Sequence, residues 1–215
     1  MDGHLIRFDK KSRFCFVDIE SFNLCLSLAF NRPWQIGLIE YSGDSIQRTK
    51  DVIINWPIVN GLTCSEGAAK INHYNQFTVA RDGVSPEEGF AFLDDYLTNC
   101  EYIVGHNLFG FDLYLIKDLY RMFGKPWQHL VPKILDTKAI ASGVKMGVPF
   151  DPAKESITMY QYRMGNTRVK GIKTALSTLA KEYGIQMDET RLHEAQYDLF
   201  INIQVWNKLK FLIEL

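Results

Sequence analysis

The chain has 215 residues, of which 47% are hydrophobic, 23% charged and 13% aromatic, a globular composition with enough length for one sizeable core. No apolar run approaches the ~20 residues of a membrane span, and the basic start MDGHLIRFDKKSRF lacks an apolar stretch before a cleavage site, so a soluble, cytoplasmic protein without a membrane partner is expected. The net charge of −1 hides an asymmetry: residues 117–191 carry thirteen Lys and Arg against seven Asp and Glu, a balance of +6 that leaves −7 elsewhere. One surface for a polyanion and another of carboxylates for cations would fit that split, and so would ordinary solvated faces.

Residues 13–19 (RFCFVDI), 33–41 (PWQIGLIEY) and 51–56 (DVIINW) are β-rich runs, with Ser42, Gly43 and Asp44 as turn residues; an antiparallel meander is predicted. Ser85-Pro86-Glu87-Glu88 predicts a helix start with Ser85 as N-cap, and Phe90, Leu93 and Leu97 follow at helical spacing. Residues 101–107 (EYIVGHN) predict a short buried strand. A helix beginning at Phe109 follows, with Leu113, Ile116, Tyr120 and Phe123 as its apolar face. Residues 133–137 predict another strand. Residues 144–171, with two prolines, three glycines and no steady period, predict a long excursion that leaves the core. Helices over 174–183 and from Ala195 onward complete the chain. Early strands followed by alternating strands and helices imply one α/β domain over 1–215, a mixed sheet flanked by helices.

Asp18 and Glu20 stand two apart at the end of the first strand, so both point to one face, ~7 Å apart, and call for solvent or a cation between them. Asp112 falls in the first turn of the helix after the EYIVGHN strand, where the helix dipole alone would favour it. In open α/β sheets, however, ligand sites lie at such strand ends. His193 and Asp198, five apart, could not face one site from within one helix; His193 therefore belongs to the preceding loop, from which its ring can swing over Asp198. Taken singly, each feature has an ordinary structural explanation.

Taken in order, FVDIES, GHNLFGFDLYLI and HEAQYD resemble the three motifs of the DEDDh exonucleases, the DnaQ-like branch of the ribonuclease H-like superfamily, and the resemblance spans most of the chain. Softer echoes are Leu135-Asp136-Thr137 and the TALSTLAKEYGI segment. Where family members commonly continue with Thr-Gly after the glutamate, this chain has Ser21-Phe22. The resemblance implies a mixed-sheet fold and metal-dependent 3'-5' hydrolysis of single-stranded nucleic acid, DNA or RNA, releasing nucleoside 5'-monophosphates. Asp18, Glu20, Asp112 and Asp198 become the ligands of two ions, which their hard oxygens predict to be Mg²⁺ or Mn²⁺, about 3.5 to 4 Å apart. His193 becomes the general base. Candidate substrate contacts are Ile19, Ser21 and Phe22 beside the first motif and Asn107 in the second, with Phe22 stacking on or wedging beside the terminal base. Phe109 is a weaker stacking candidate. Arg163, Arg168 and Lys170, interleaved with Tyr160 and Tyr162, are expected to form a phosphate-gripping loop. A polymerase or a second copy of the chain remains open as a partner, and a catalytically inactive nucleic-acid-binding module is the non-enzyme alternative.

Overall fold

A computed structural model describes residues 11–57 and 62–212. Its sheet contains β1 (Phe14–Ser21), β2 (Pro33–Ser42), β3 (Ser45–Ile53), β4 (Tyr102–Gly105) and β5 (Ile134–Asp136), in the spatial order β3-β2-β1-β4-β5. β1 is antiparallel to β2 and parallel to β4, and β4 is parallel to β5, so the sheet is mixed as predicted. The meander is present, but its third strand begins at Ser45. Gly43 and Asp44, both with φ near 60° (60° and 59°), form a tight two-residue turn that pairs Ser42 directly with Ser45.

The helices are α1 (Glu66–Asn72), α2 (Gln76–Asp82), α3 (Pro86–Thr98), α4 (Asp112–Met122), α5 (Thr137–Met146), α6 (Ile157–Asn166), α7 (Leu176–Glu182) and α8 (Ala195–Leu209). α3 starts as predicted: the Ser85 hydroxyl accepts the Glu88 N–H at 3.2 Å, and Pro86 occupies the first turn, where no donor is needed. β1 is buried on both faces. Cys15, Val17 and Ile19 pack with Phe90, Leu93 and Leu97 of α3 and Leu115, Ile116 and Leu119 of α4. Phe14 and Phe16 face the other way, into a core with Ile140 of α5, Leu179 of α7 and Leu199 and Trp206 of α8. Asp18 and Glu20 take the next two places in that second row, so the alternation that builds the core also delivers both acids to the α8 side.

The excursion expected over 144–171 returns to the core instead. α6 buries Tyr160, Gln161 and Met164, and the Gln161 side chain accepts the Asp136 N–H at 2.6 Å while donating to Ile134 O at 2.9 Å. A buried glutamine that satisfies the outer edge of β5 replaces the neighbouring strand that β5 lacks. Among the described residues no helix is long and apolar enough to cross a membrane.

Candidate active site

The acids gather where β1 and β4 end. β1 pairs with β4 only from Phe14 to Phe16, so the Ile19 N–H lies beyond the last rung of that ladder. The Asp112 carboxylate, at the start of α4, accepts it at 3.0 Å and thereby joins the first two motifs. Across the ladder on the other side, Asp18 pairs with Gly37. A Cβ on Gly37 would lie 3.0 Å from the Ala195 carbonyl carbon, so the bare backbone there lets α8 settle close to the sheet. Asp198, one turn into α8, then reaches the same place.

His193 sits before α8 with φ of 69°, a left-handed conformation uncommon outside glycine. Its N–H donates to one Asp198 carboxylate oxygen at 3.1 Å. A ring nitrogen of His193 and carboxylate oxygens of Glu20 and Asp198 lie within 4.8 Å of one another. The second Asp198 oxygen is buried and has no hydrogen-bond partner among the described residues.

Ionising these groups where they stand is costly. Burial raises the Asp18 carboxyl well above its ordinary range, and repulsion from Glu20, Asp112 and Asp198 adds to it. Burial, then Asp198 and Asp112, lifts Glu20 to about 8. Asp112 is also lifted to about 8, by burial that its hydrogen bonds from backbone N–H groups only partly offset. Asp198 is raised by burial and relieved in part by the His193 N–H. Converging carboxylates of raised basicity, one with an orphaned oxygen, form a donor set suited to a hard divalent cation.

The acids line a cavity of about 1030 Å³, whose walls also include Lys138, Lys173 and the loop residue Leu24. His106 borders it too, with its ring against the Thr137 hydroxyl at 3.0 Å; burial and then Lys138 depress its pKa to about 3, so it is a neutral wall.

Of the expected substrate contacts, Asn107 is at the cavity, in a left-handed conformation with its side-chain oxygen accepting from Lys138 Nζ at 2.9 Å. Ile19 lines it as well, although its side chain is buried. Ser21 is buried and donates its hydroxyl to Asn23 O at 2.7 Å. Phe22 is placed differently from expectation. The strand register shifts between Glu20 and Ser21, which breaks the alternation, and the Phe22 ring turns into a small core with Trp34 and Val79 and meets Tyr74 edge-on at 5.4 Å. Among the apolar side chains that line the cavity with the acids, Leu24 is exposed, 87% accessible, and Leu26 less so. The expected phosphate-gripping loop also differs: Arg163 is ion-paired with Glu155, and neither it nor Arg168 nor Lys170 lines the cavity. Phe109 packs against the core at the back of the second motif.

Two residues that hold this site were not singled out from the sequence. Buried Asp136 accepts four backbone N–H groups, from Asn107 (2.9 Å), Phe109 (3.0 Å), Lys138 (3.0 Å) and Ala139 (3.3 Å), and so fixes the second motif's loop to the start of α5. The Leu-Asp-Thr phrase carried its signal, read only as an echo. Asn31, fully buried, donates to Ser21 Oγ, Asn23 O and Cys25 O and accepts from Asn23 N and Arg32 N, closing the loop that presents Leu24.

No protein-family profile matches the chain, and no curated protein sequence does. Solved structures do. E. coli exonuclease I in a zinc-bound complex with single-stranded DNA superposes with a TM-score of 0.70 at 18% identity, over 94% of this chain and 42% of that one. A product-bound exonuclease I gives 0.69 at 17% identity, over 94% and 44%. The E. coli enzyme with a dT13 oligonucleotide gives 0.70 at 18%, over 93% and 41%. The chain thus spans less than half the length of these proteins. Its mixed five-stranded sheet, with helices on both faces, is the ribonuclease H-like fold of the exonuclease I structures.

Proposed function

We propose that this protein is a metal-dependent 3'-5' exonuclease that hydrolyses single-stranded DNA from its 3' end and releases nucleoside 5'-monophosphates. The observation that carries this reading is the convergence of Asp18, Glu20, Asp112, Asp198 and His193 on the lining of a single cavity. The exonuclease I structures with bound single-stranded DNA support the choice of substrate.

Asp18, Glu20, Asp112 and Asp198 would hold two ions, Mg²⁺ or Mn²⁺, and the orphaned Asp198 oxygen fits such a role. Bound there, the ions supply charge neutralisation at the reacting phosphate and a more acidic water. The chain's own residues do the remaining work. Asp112 keeps its orientation through the Ile19 N–H, and Asp198 through the His193 N–H. The left-handed backbone at His193 carries the imidazole to the carboxylates, where a ring nitrogen can take the attacking water's proton. Leu24 offers an apolar surface to the terminal base, and Lys138 and Lys173 offer positive charge to the phosphates that follow.

The test is digestion of end-labelled single-stranded DNA and RNA of one sequence with Mg²⁺, Mn²⁺ or chelator. Stepwise loss from the 3' end of DNA is expected with metal only, and Asp18→Ala should reduce it at least ~10³-fold. Digestion that persists in chelator, or in Asp18→Ala, would overturn the reading. RNA degraded faster than DNA would overturn the substrate choice alone.

A further inference from the structure

Helix α1 and the residue that ends it lie outside all three motifs, yet they touch the first and the residue directly before the third. Its N-cap Ser65 donates its N–H to Phe22 O at 3.4 Å. At the other end, Asn72 is buried and its side-chain amide donates to Ser21 O at 2.7 Å, while its oxygen accepts the Tyr74 N–H at 3.2 Å. α1 is thereby strapped to the chain immediately after Glu20. The next residue, His73, caps the helix in a left-handed conformation with φ of 58°, and its Nε2 lies 3.1 Å from the carbonyl oxygen of Leu192. Leu192 directly precedes His193. Because a carbonyl only accepts, the imidazole is the donor in this bond.

The loop over 188–194 needs an external tie. Its inner contacts run to its own end and to α8: Arg191 pairs with Glu194 and lies over the Tyr197 ring, and His193 N bonds Asp198. Among the described residues, the ties reaching it from elsewhere are an exposed ion pair from Lys181 to Glu189 and the His73 hydrogen bond. Exposed ion pairs are worth little. His193 must also keep a strained backbone conformation for its ring to face Glu20 and Asp198.

We propose that Asn72 and His73 form a positioning clamp that holds the His193 loop against the first motif, with His73 as the positioning residue that sets the ring of His193. The proposal rests on the exonuclease reading for its effect on rate, while the clamp itself is independent of that reading. Three variants separate its parts. His73→Gln places an amide nitrogen near the position of Nε2 and keeps the donor. His73→Asn tolerates the left-handed backbone better than most residues other than glycine but is too short to reach Leu192. His73→Ala removes the donor altogether.

Two measurements are made on the full chain. In limited trypsin digestion, cleavage after Arg191 is followed by mass spectrometry against cleavage after Arg168, an exposed residue just after α6 that neither Asn72 nor His73 bonds. Loss of one net hydrogen bond should speed cleavage after Arg191 about fivefold in His73→Ala and His73→Asn, with His73→Gln close to wild type. In the nuclease assay, kcat should fall about tenfold to a hundredfold in the Ala and Asn variants, with KM unchanged, and return with Gln. Equal cleavage after Arg191 in all four proteins would overturn the clamp. A rate loss that Gln does not rescue, or one that appears in KM instead of kcat, would overturn the positioning role. If the wild-type chain degrades no nucleic acid, the exonuclease reading falls, and the digestion pattern still decides the clamp.

Discussion

Desolvated acids and a partly buried histidine give the metal-free protein a definite dependence on pH. Glu20 and Asp112 titrate near 8 when folded and near ~4 when unfolded, so the folded state binds more protons across that interval. Their contribution to stability is complete at low pH and is lost as pH rises through about 8. His106 has the opposite sign: folded it titrates near 3, so its contribution is present above its unfolded value of ~6.5 and is lost as pH falls. Between about pH 6.5 and 8.5 the carboxylates therefore act without opposition from His106. With chelator present, the melting temperature should fall across this window. A group titrating fully changes stability by about 1.4 kcal/mol per pH unit, which corresponds to several degrees for a chain of this size. Saturating Mg²⁺ binds the anionic form and should flatten the slope. A chelated protein whose melting temperature stays level or rises from pH 6.5 to 8.5 would show that the acids are not held as described.

At the level of elements, the site depends on how closely α8 approaches the sheet. Gly37 permits that approach, and both Asp198 and His193 come from the start of the helix it admits. Gly37→Val adds a branched side chain where even a Cβ meets the Ala195 backbone at 3.0 Å. Overpacking of this kind costs about 1 to 3 kcal/mol and here would lift the first turn of α8. The expected result is a folded protein by far-UV circular dichroism with Mn²⁺ affinity and nuclease rate each reduced about tenfold or more. Gly165→Ala is the control, since a Cβ there makes an ordinary 3.6 Å contact with Ala139. Unchanged Mn²⁺ affinity in Gly37→Val would detach the α8 approach from the site. The elements that bring acids to this point were legible because β1 alternates strictly as far as Glu20 and because α3 and α8 carry helical periodicity. α1 and α2 were not. Each has seven residues, too few for a period to emerge, and the caps that start them, Ser65 and Asn75, read as loop residues. Phe22 misled because a register shift cancels alternation one residue earlier. Asp136 fell in a stretch that reads as a strand, and the two N–H groups it takes from the second motif lie 27 and 29 residues away in sequence, beyond the reach of any local pattern.

Across the whole molecule, the excess of positive charge over residues 117–191 is distributed unevenly about the cavity. The sequence pattern pointed to Arg163, Arg168 and Lys170, whereas the cavity that the acids line takes Lys138, at the start of α5, and Lys173, in the stretch leading into α7. Their neighbours explain the difference. Arg163 is already paired with Glu155, while Lys138 is directed by Asn107 of the second motif toward the cavity wall. A single strand whose 3' end lies at the carboxylates would place its next phosphates near these two lysines. Each phosphate neutralised contributes about 0.7 to the slope of log K against log salt for single strands. Binding of a fluorescent oligonucleotide, measured in chelator to prevent cleavage, should therefore lose a slope of about 1.4 in the Lys138→Ala/Lys173→Ala double variant. Arg168→Ala/Lys170→Ala should change it by clearly less. Equal slopes in the two double variants would mean that the strand is gripped from the turn after α6, and that its path leaves the cavity on that side.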